Sequence, residues 1–383
     1  MTARGERHYL DYNATCPARP EVIDAVAAAM RVVGNSSSVH GEGRAARAIV
    51  EEAREKLRDL VNAPVGGVIF TSGGTESIHC ALNGAVKNGS VGRIFVSAIE
   101  HAAVPANALA TGAPVETIPA LPSGLVDLVW LKDRLADYDA RRDGGFLVCV
   151  MLANNETGII QPVREAADIV HWAGGLLFVD GCQAVGKIPV NFALSGADLM
   201  AITGHKFGGP IGVGALIAQP NLPLEPVMRG GGHEMNRRAG THNVPAIAGL
   251  GVACERAADS IAKAGKIAAL RDRMQRAVEE AGARIWGKDA ERLPGTLSFS
   301  APGFSSETQM MTMDLAGIAV SSGSACSSGK TEPSHVLAAM GAGDDLARCS
   351  LRVSIGWNST EADAEAFIRE WPAAYKRVKA RAA

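Results

Sequence analysis

The sequence has few aromatic residues, little excess charge and no long apolar segment. Aromatic residues make up 5% of the chain, charged residues 20%, and the formal net charge is -2 at pH 7. A chain this close to neutral lacks the basic field that attracts nucleic acid or an anionic membrane, so neither is expected as a partner. The longest apolar stretches, such as residues 146–153, suit a buried strand and are too short for a transmembrane helix.

Cysteine is present, but without the spacing of a disulfide framework or a zinc knuckle. The seven cysteines are scattered, their number is odd and no two form a CxxC pair. Such a pattern is typical of a reducing compartment. The first residues contain no apolar run of signal-peptide length. We therefore expect a cytoplasmic protein.

The apolar residues that are there occur in short runs. With 383 residues, 47% of them hydrophobic, the chain is long enough for a large core and a smaller lobe. Each run leads into polar or glycine-rich residues and then a helical pattern; the runs are 68–70, 93–97, 146–152, 176–179, 199–203 and 213–217. This alternation predicts an α/β fold with a mostly parallel sheet covered on both faces. Ligands bind at the carboxyl ends of such strands, where the polar clusters lie.

The pattern changes from about residue 251. Long helical patterns over 254–281 and 361–383 flank short strands near 295–300 and 350–355. We interpret this part as a smaller α+β domain. The predicted division is 16–257 for the large domain and 1–15 plus 258–383 for the small one.

Two residues at neighbouring strand ends suit pyridoxal 5'-phosphate (PLP). Lys206 lies in the glycine-flanked turn GHKFGGP, and a lysine in a dry site can lose its proton and form a Schiff base. Asp180 ends the preceding strand, where a carboxylate can face the pyridine nitrogen of the cofactor. Taken alone, such a lysine is more often a surface residue in a turn, and such an aspartate is more often a helix cap.

Two further motifs follow strands. SGGTES, residues 72–77, opens a helix, where backbone N–H groups and the helix dipole suit a phosphate. Thr75 is its candidate ligand, although a plain capped turn looks similar. His101 follows another strand; an imidazole there can stack on a ring or move protons, but a lone histidine is more often structural.

Two residues suit the substrate. Cys326 lies in SSGSACSSG among small residues, whereas Cys149 and Cys182 suit the core. A thiol in a glycine- and serine-rich loop is placed as an attacking thiolate should be. Arg352 alternates with apolar residues in SLRVSIG. Its guanidinium either binds the carboxylate of an amino-acid substrate or forms a structural salt bridge.

These motifs occur in a fixed order nearly end to end: YLDYNAT, GNSSSVH, TSGGTES, EHAAV, ANNETG, DGCQAVGK, GHKFGGPIGVG, GGGHE, AGT, SSGSACSSG and SLRVSIG. Together they resemble the cysteine desulfurases of the NifS/IscS type, class V members of the type I PLP fold. The resemblance implies that the large domain binds PLP and that the small domain carries the loop with Cys326.

The resemblance also implies roles at the cofactor. Lys206 would form the Schiff base and transfer the α-proton, and Asp180 would pair with the pyridine nitrogen. His101 would stack on the ring and act in acid–base steps. Gln183 and Asn155 would hydrogen-bond the phenolic oxygen, and the phosphate would be bound by Thr75, Thr203 and His205. Thr241 would reach the phosphate of the neighbouring subunit, which would make the active unit a homodimer.

On the substrate side, Arg352 with Asn35 would bind the carboxylate of L-cysteine. Cys326 would take the sulfur as a persulfide, and the rest of the substrate would leave as L-alanine. The persulfide sulfur would then pass to an iron–sulfur scaffold protein. No metal ion is implied in the reaction. The chain ends soon after its last predicted helix, whereas housekeeping relatives carry a longer tail, which favours a role in nitrogenase maturation over general iron–sulfur assembly.

Several alternatives remain at this stage. An aminotransferase would share Lys206 and Asp180 without needing a loop cysteine, and a selenocysteine lyase would share nearly every motif. A sulfur carrier would need Cys326 alone and bind no cofactor. A metal site formed by His101, Asp180 and His205 is disfavoured because these residues lack short ligand spacing.

Overall fold

The computed structural model describes residues 7–323 and 333–382. Its strands are β1 His8–Tyr9, β2 Val68–Thr71, β3 Arg93–Ser97, β4 Val115–Ile118, β5 Phe146–Met151, β6 Leu176–Asp180, β7 Leu199–Thr203, β8 Gly214–Ala218, β9 Arg284–Ile285, β10 Thr296–Ser300, β11 Ile318–Ala319 and β12 Ser350–Ser354. Its helices are α1 Pro20–Ala29, α2 Gly41–Val61, α3 Gly74–Lys87, α4 Ala103–Ala110, α5 Leu128–Ala136, α6 Ala140–Asp143, α7 Val163–Trp172, α8 Phe192–Ser195, α9 Val244–Ala262, α10 Ala264–Glu280, α11 Ser306–Leu315, α12 His335–Ala339, α13 Asp344–Ala347 and α14 Glu361–Ala382. Short 3-10 turns cover Gly204–Lys206 and Glu234–Asn236.

The main sheet has seven strands in the order β2-β8-β7-β6-β5-β3-β4. Strands β7, β6, β5, β3 and β4 run parallel to one another, while β8 is antiparallel to both β7 and β2. The mostly parallel sheet predicted from the apolar runs is therefore confirmed. The edge strand β4 was not among the predicted runs, because two polar residues separate Val115 from Ile118 and only Ile118 is fully buried.

Hydrophobic side chains cover both faces of this sheet. Along β5, Val148 and Val150 belong to one buried cluster, and Leu147 and Cys149 belong to another on the opposite face. Successive side chains of a strand point to opposite faces, so a strand covered on both sides is apolar at every position. This explains the continuous apolar run, and it confirms Cys149 as a core residue.

A second, three-stranded antiparallel sheet has the order β12-β10-β9. It packs against α10 and α14, with Phe299 and Trp371 in contact at a ring-centroid distance of 4.8 Å. The helical pattern predicted over 254–281 is helical in the structure, but it is divided at Lys263 between α9 and α10. Helix α9 packs on α1 and α2, whereas α10 packs on α14, and the chain turns between these two surfaces.

The predicted division of the chain after residue 257 falls inside α9, near its end. At the other end of the chain, β1 pairs in parallel with β11, so residues 8–9 lie beside the second half of the chain. The division into two domains remains a prediction. Within the described ranges, we find no helix with both the length and the apolar character needed to cross a membrane.

Candidate active site

Lys206 lies in the 3-10 turn directly after β7, as the sequence predicted. Its Nζ donates hydrogen bonds to the backbone carbonyl oxygens of Ala14, at 2.9 Å, and of Asn13. The amine is half-buried beneath a segment that lies far away in sequence. The N-terminal segment therefore covers the strand ends and forms part of the site.

Asp180 is buried at the carboxyl end of β6 and accepts a hydrogen bond from the backbone N–H of Cys182 at 2.9 Å. A second acid lies next to it. Glu100 is buried, and its Oε1 accepts from the N–H of Met151 at 2.6 Å. Burial, and then the negative charge of Asp180, raise the pKa of Glu100 well above its usual value. The site thus contains a second buried acid whose protonated form is favoured by burial and by Asp180. Glu100 was not among the predicted site residues, although it adjoins His101 in EHAAV.

Asn13, Gln183 and Lys187 form a buried network beside Lys206. The Nε2 of Gln183 donates to the carbonyl of Asn13 at 2.9 Å. The Nζ of Lys187 donates to Gln183 Oε1 at 2.7 Å and to Asn13 Oδ1 at 2.9 Å. Burial, and then the positive charge of Lys206, lower the pKa of Lys187 to about 7. Neither Asn13 nor Lys187 was among the predicted site residues, although Asn13 lies in the motif YLDYNAT and Lys187 in DGCQAVGK.

The amino terminus of α3 forms a glycine turn against β7. Gly73 is the N-cap residue and supplies no side chain to the free N–H groups. A Cβ placed on Gly74 would lie 2.7 Å from the Sγ of Cys182, and one on Gly73 would lie 3.7 Å from Thr203 Oγ1. Thr203 is buried and Thr75 is exposed in the first turn of α3. The two predicted phosphate ligands therefore flank one turn with uncapped N–H groups, a feature suited to an anion.

Cys182 was expected in the core, and that expectation was only partly right. It is half-buried and packs against the cluster beneath the sheet. Because its sulfur also contacts the glycine turn at Gly74, it forms part of the site wall.

His205 is the third predicted phosphate ligand. Its Nδ1 lies 3.2 Å from Thr15 Oγ1. Burial, followed by the positive charges of Lys206 and Lys187, lowers its pKa to about 4. At pH 7 the ring is therefore neutral, so in the predicted phosphate-binding role it would act as a hydrogen-bond donor and not as a cation.

Arg352 is buried on β12 and makes a salt bridge. Its Nη2 lies 2.8 Å from Asp11 Oδ1, and its Nη1 donates to the carbonyl of Asn155 at 3.0 Å. The structural salt bridge that the sequence left open is therefore present. Among the described residues, Arg352 Nε and Asn155 Oδ1 are buried without a hydrogen-bond partner.

The remaining predicted residues lie nearer the surface. His101 follows β3, and its Nδ1 accepts from the N–H of Ala103 at 3.2 Å, at the start of α4. Asn35 is exposed, and its Oδ1 accepts from the N–H of Ser37 at 2.9 Å. Thr241 is exposed on the loop before α9. Cys326 lies outside the described residues.

The residues present fit PLP. A buried carboxylate at Asp180, an amine at Lys206 and an uncapped glycine turn at Gly73 match its pyridine nitrogen, aldehyde and phosphate. The orphaned Asn155 amide supplies a buried polar atom for its ring substituents. Among the described residues, no group of three or more His, Cys, Asp or Glu side chains is placed to hold a metal ion.

Comparison with known proteins places this site in a family. The chain matches the aminotransferase class-V model over residues 8–367. It is 40% identical over 387 residues to the "IscS-like cysteine desulfurase" of Mycobacterium tuberculosis, with 97% of each chain covered. The "Cysteine desulfurase IscS" of Dictyoglomus turgidum is 40% identical over 364 residues, covering 93% of this chain and 91% of that relative. The solved structure of a NifS-like protein from Rickettsia africae has a TM-score of 0.88 at 32% identity, covering 97% of this chain and 100% of that one. The α/β fold class with a mostly parallel PLP-binding sheet is confirmed, and the chain belongs to the class V aminotransferase family of PLP-dependent enzymes.

Proposed function

We propose that this protein is a cysteine desulfurase, which removes sulfur from L-cysteine, releases L-alanine and holds the sulfur as a persulfide on Cys326. The main support is the placement of the Lys206 amine and the buried Asp180 at the ends of adjacent strands. A second support is the similarity of the whole sequence to relatives that are named cysteine desulfurases and that it matches over more than nine-tenths of their length.

The cofactor would be held by residues from several strand ends. Lys206 would bind its aldehyde carbon, Asp180 would face its pyridine nitrogen and His101 would stack on its ring. When bound, PLP supplies an electron sink for the substrate α-carbon. The other cofactor contacts would be Gln183 and Asn155 at the phenolic oxygen, Thr75, Thr203 and His205 at the phosphate, and Thr241 at the phosphate of the neighbouring subunit.

The chain's own groups then carry the reaction. Arg352, with Asn35, holds the carboxylate of cysteine, and Lys206 removes the α-proton. The thiolate of Cys326 attacks the substrate sulfur, so that an S–S bond forms as the C–S bond breaks. The electron pair of the broken bond remains with the carbon fragment, which is protonated and leaves as alanine. No outside oxidant or reductant is required.

The proposal extends to partners and compartment. The active unit is a homodimer, because Thr241 is assigned to the neighbouring site, and an iron–sulfur scaffold protein accepts the persulfide sulfur. Nitrogenase maturation is the favoured pathway, with general iron–sulfur assembly as the alternative. The cytoplasm is the proposed compartment; the six described cysteines are all free thiols, which suits reducing conditions.

The test compares wild type with Cys326→Ala, Lys206→Ala and Cys349→Ala, the last being a half-buried thiol outside the proposed site. Wild type and Cys349→Ala should show a yellow cofactor band and release alanine and reducible sulfur from cysteine. Cys326→Ala should keep the band but lose sulfur release, and Lys206→Ala should lose the lysine-linked band. Sulfur release by Cys326→Ala at the wild-type rate would instead support a lyase or an aminotransferase.

A further inference from the structure

One buried carboxylate contacts the chain on both sides of the segment that contains Cys326. Glu156, in the loop after β5, is 2% exposed. The hydroxyl of Ser334 donates to its Oε2 at 2.5 Å. A Cβ built on Gly323 would lie 2.5 Å from the same Oε2, so the backbone of Gly323 lies directly against this oxygen. Glu156 therefore brings residues 323 and 334 to one place.

On the downstream side, this contact sets where α12 begins. The Oγ of Ser334 accepts from the N–H of Leu337 at 3.0 Å as the N-cap of α12. Since that hydroxyl has one hydrogen, the bond to Glu156 uses its whole donor capacity. His335 adds a second attachment, with its Nε2 2.9 Å from the carbonyl oxygen of Glu100. The first turn of α12 is thereby bound to the loops that carry Asn155 and His101.

On the upstream side, the chain is attached to β12. Ser321 and Arg352 exchange two backbone hydrogen bonds, of 3.2 Å and 2.7 Å. Residues 321 to 323 therefore run from the proposed carboxylate-binding arginine to Glu156. The upstream and downstream attachments both end at groups of the proposed active site.

We propose that Glu156 is a positioning residue for sulfur transfer, and that its contacts with Gly323 and Ser334 set the reach of the Cys326 thiol. This inference rests on the proposed role of Cys326. Three residues of chain span at most about 11 Å, so fixing Gly323 limits where the thiol can be carried. A displacement of about 1 Å can cost a reaction about 100-fold in rate. Binding of cysteine precedes this step and does not depend on Glu156.

The first test uses Glu156→Ala in the holoenzyme. We expect kcat for alanine formation to fall at least 10-fold, while KM for cysteine and the spectral change on adding cysteine stay within about twofold of wild type. Glu156→Gln retains an acceptor for Ser334 and should recover most of the lost rate. In cofactor-free protein, Glu156→Ala should also speed hydrogen exchange at the first-turn amides of α12, without changing α11.

The second test uses Ser334→Ala, with Ser305→Ala as its matched control. Ser305 is the N-cap of α11 and accepts from the N–H of Thr308, so both variants lose a cap but only Ser334→Ala also loses the bond to Glu156. We expect a lower kcat for Ser334→Ala and an unchanged kcat for Ser305→Ala. If Glu156→Ala fails to fold, this pair decides the question.

Three outcomes separate this inference from the proposed function. Wild-type kcat in both Glu156→Ala and Ser334→Ala would overturn the positioning role and leave desulfuration by Cys326 intact. If KM for cysteine in Glu156→Ala rose by the same factor as kcat fell, and the cysteine-induced spectral change were lost, the positioning role would also be overturned. Glu156 would then serve substrate binding. Sulfur release by Cys326→Ala at the wild-type rate would overturn the proposed function itself.

Discussion

Arg352 and Asp11 form a salt bridge of 2.8 Å, although they are 341 positions apart in the chain. The guanidinium side chain is 5% exposed and that of Asp11 19%. A cation this deeply buried needs a partner, and Asp11 meets that need before any substrate arrives. The arginine proposed to bind the cysteine carboxylate is thus held in place by an internal carboxylate, with its Nε still unpartnered among the described residues.

This relationship predicts different effects for the two partners. Arg352→Lys removes the planar fork and should raise KM for cysteine at least 10-fold. Asp11→Asn removes a competing carboxylate and should lower the melting temperature without raising KM. Steady-state kinetics and thermal melting of both variants check this. An unchanged KM in a folded Arg352→Lys enzyme would assign the arginine to stability alone.

Lys187 predicts a pH dependence of stability. Its pKa is about 7 in the folded protein, against an ordinary value of 10.5. Between these values the unfolded chain binds more protons, so the free energy of unfolding rises with pH, by at most about 1.4 kcal/mol per pH unit for this group. Below about pH 7 the penalty is fully present. Urea unfolding from pH 6 to 10 should show this slope in wild type.

The matched variants are Lys187→Met and Lys132→Met, the latter at an exposed position of α5. Lys187→Met should flatten the slope, whereas Lys132→Met should keep it. The same slope in all three proteins would mean that Lys187 is charged in the folded state.

The glycine turn at α3 predicts a reversible steric defect. Gly74→Ala would place a Cβ 2.7 Å from the Sγ of Cys182. This separation is too short for a carbon and a sulfur atom, so the glycine turn would have to shift. We expect the Kd for PLP to rise at least 10-fold. Cys182→Ala alone should have little effect, and the double variant should recover most of the affinity because the sulfur is gone. Titration of the apoprotein with PLP measures all three, and equal losses in the single and double variants would contradict the steric explanation.

Glu234 predicts a stability contribution from a buried ion cluster. Its carboxylate accepts from Arg54 at 2.7 and 2.8 Å and from the N–H of Phe70 at 2.8 Å, and it lies 2.6 Å from His242 Nε2. Burial acts to raise its pKa, but the bonds from Arg54 and His242 outweigh burial and lower it to about 2. Because the folded pKa lies below the unfolded value of 4.5, the stabilisation is present above pH 4.5 and lost towards pH 2.

Glu234→Gln should therefore lower the free energy of unfolding by roughly 3 kcal/mol at pH 7, as expected for breaking a buried pair. Glu52→Gln breaks the ion pair of the exposed Glu52 with Lys56, which keeps Glu255 as a partner; it is the control and should cost less than about 1 kcal/mol. Chemical unfolding at pH 7 and pH 3 compares them. If Glu234→Gln lowered the free energy of unfolding no more than Glu52→Gln, the buried cluster would make no special contribution to stability.

The sequence by itself determined the strands that carry the site and the chemistry at their ends. Lys206 and Asp180 were found because apolar runs covered on both faces mark parallel strands, and such strands end at one edge of the sheet. The order of the motifs was enough to identify the family, which the comparisons confirmed. These signals are local: each lies within a few residues of the side chain that it identifies.

Only the tertiary structure decided which distant groups meet. Nothing in the local pattern of YLDYNAT shows that Asn13 contacts Lys206, Lys187 and Gln183. The same holds for Glu156 and Ser334, which lie 178 positions apart, and for the chain turn at Lys263. Such contacts depend on how the two sheets and the N-terminal segment pack. Packing brings together residues that are far apart in the chain, and the local sequence around one of them does not indicate the other.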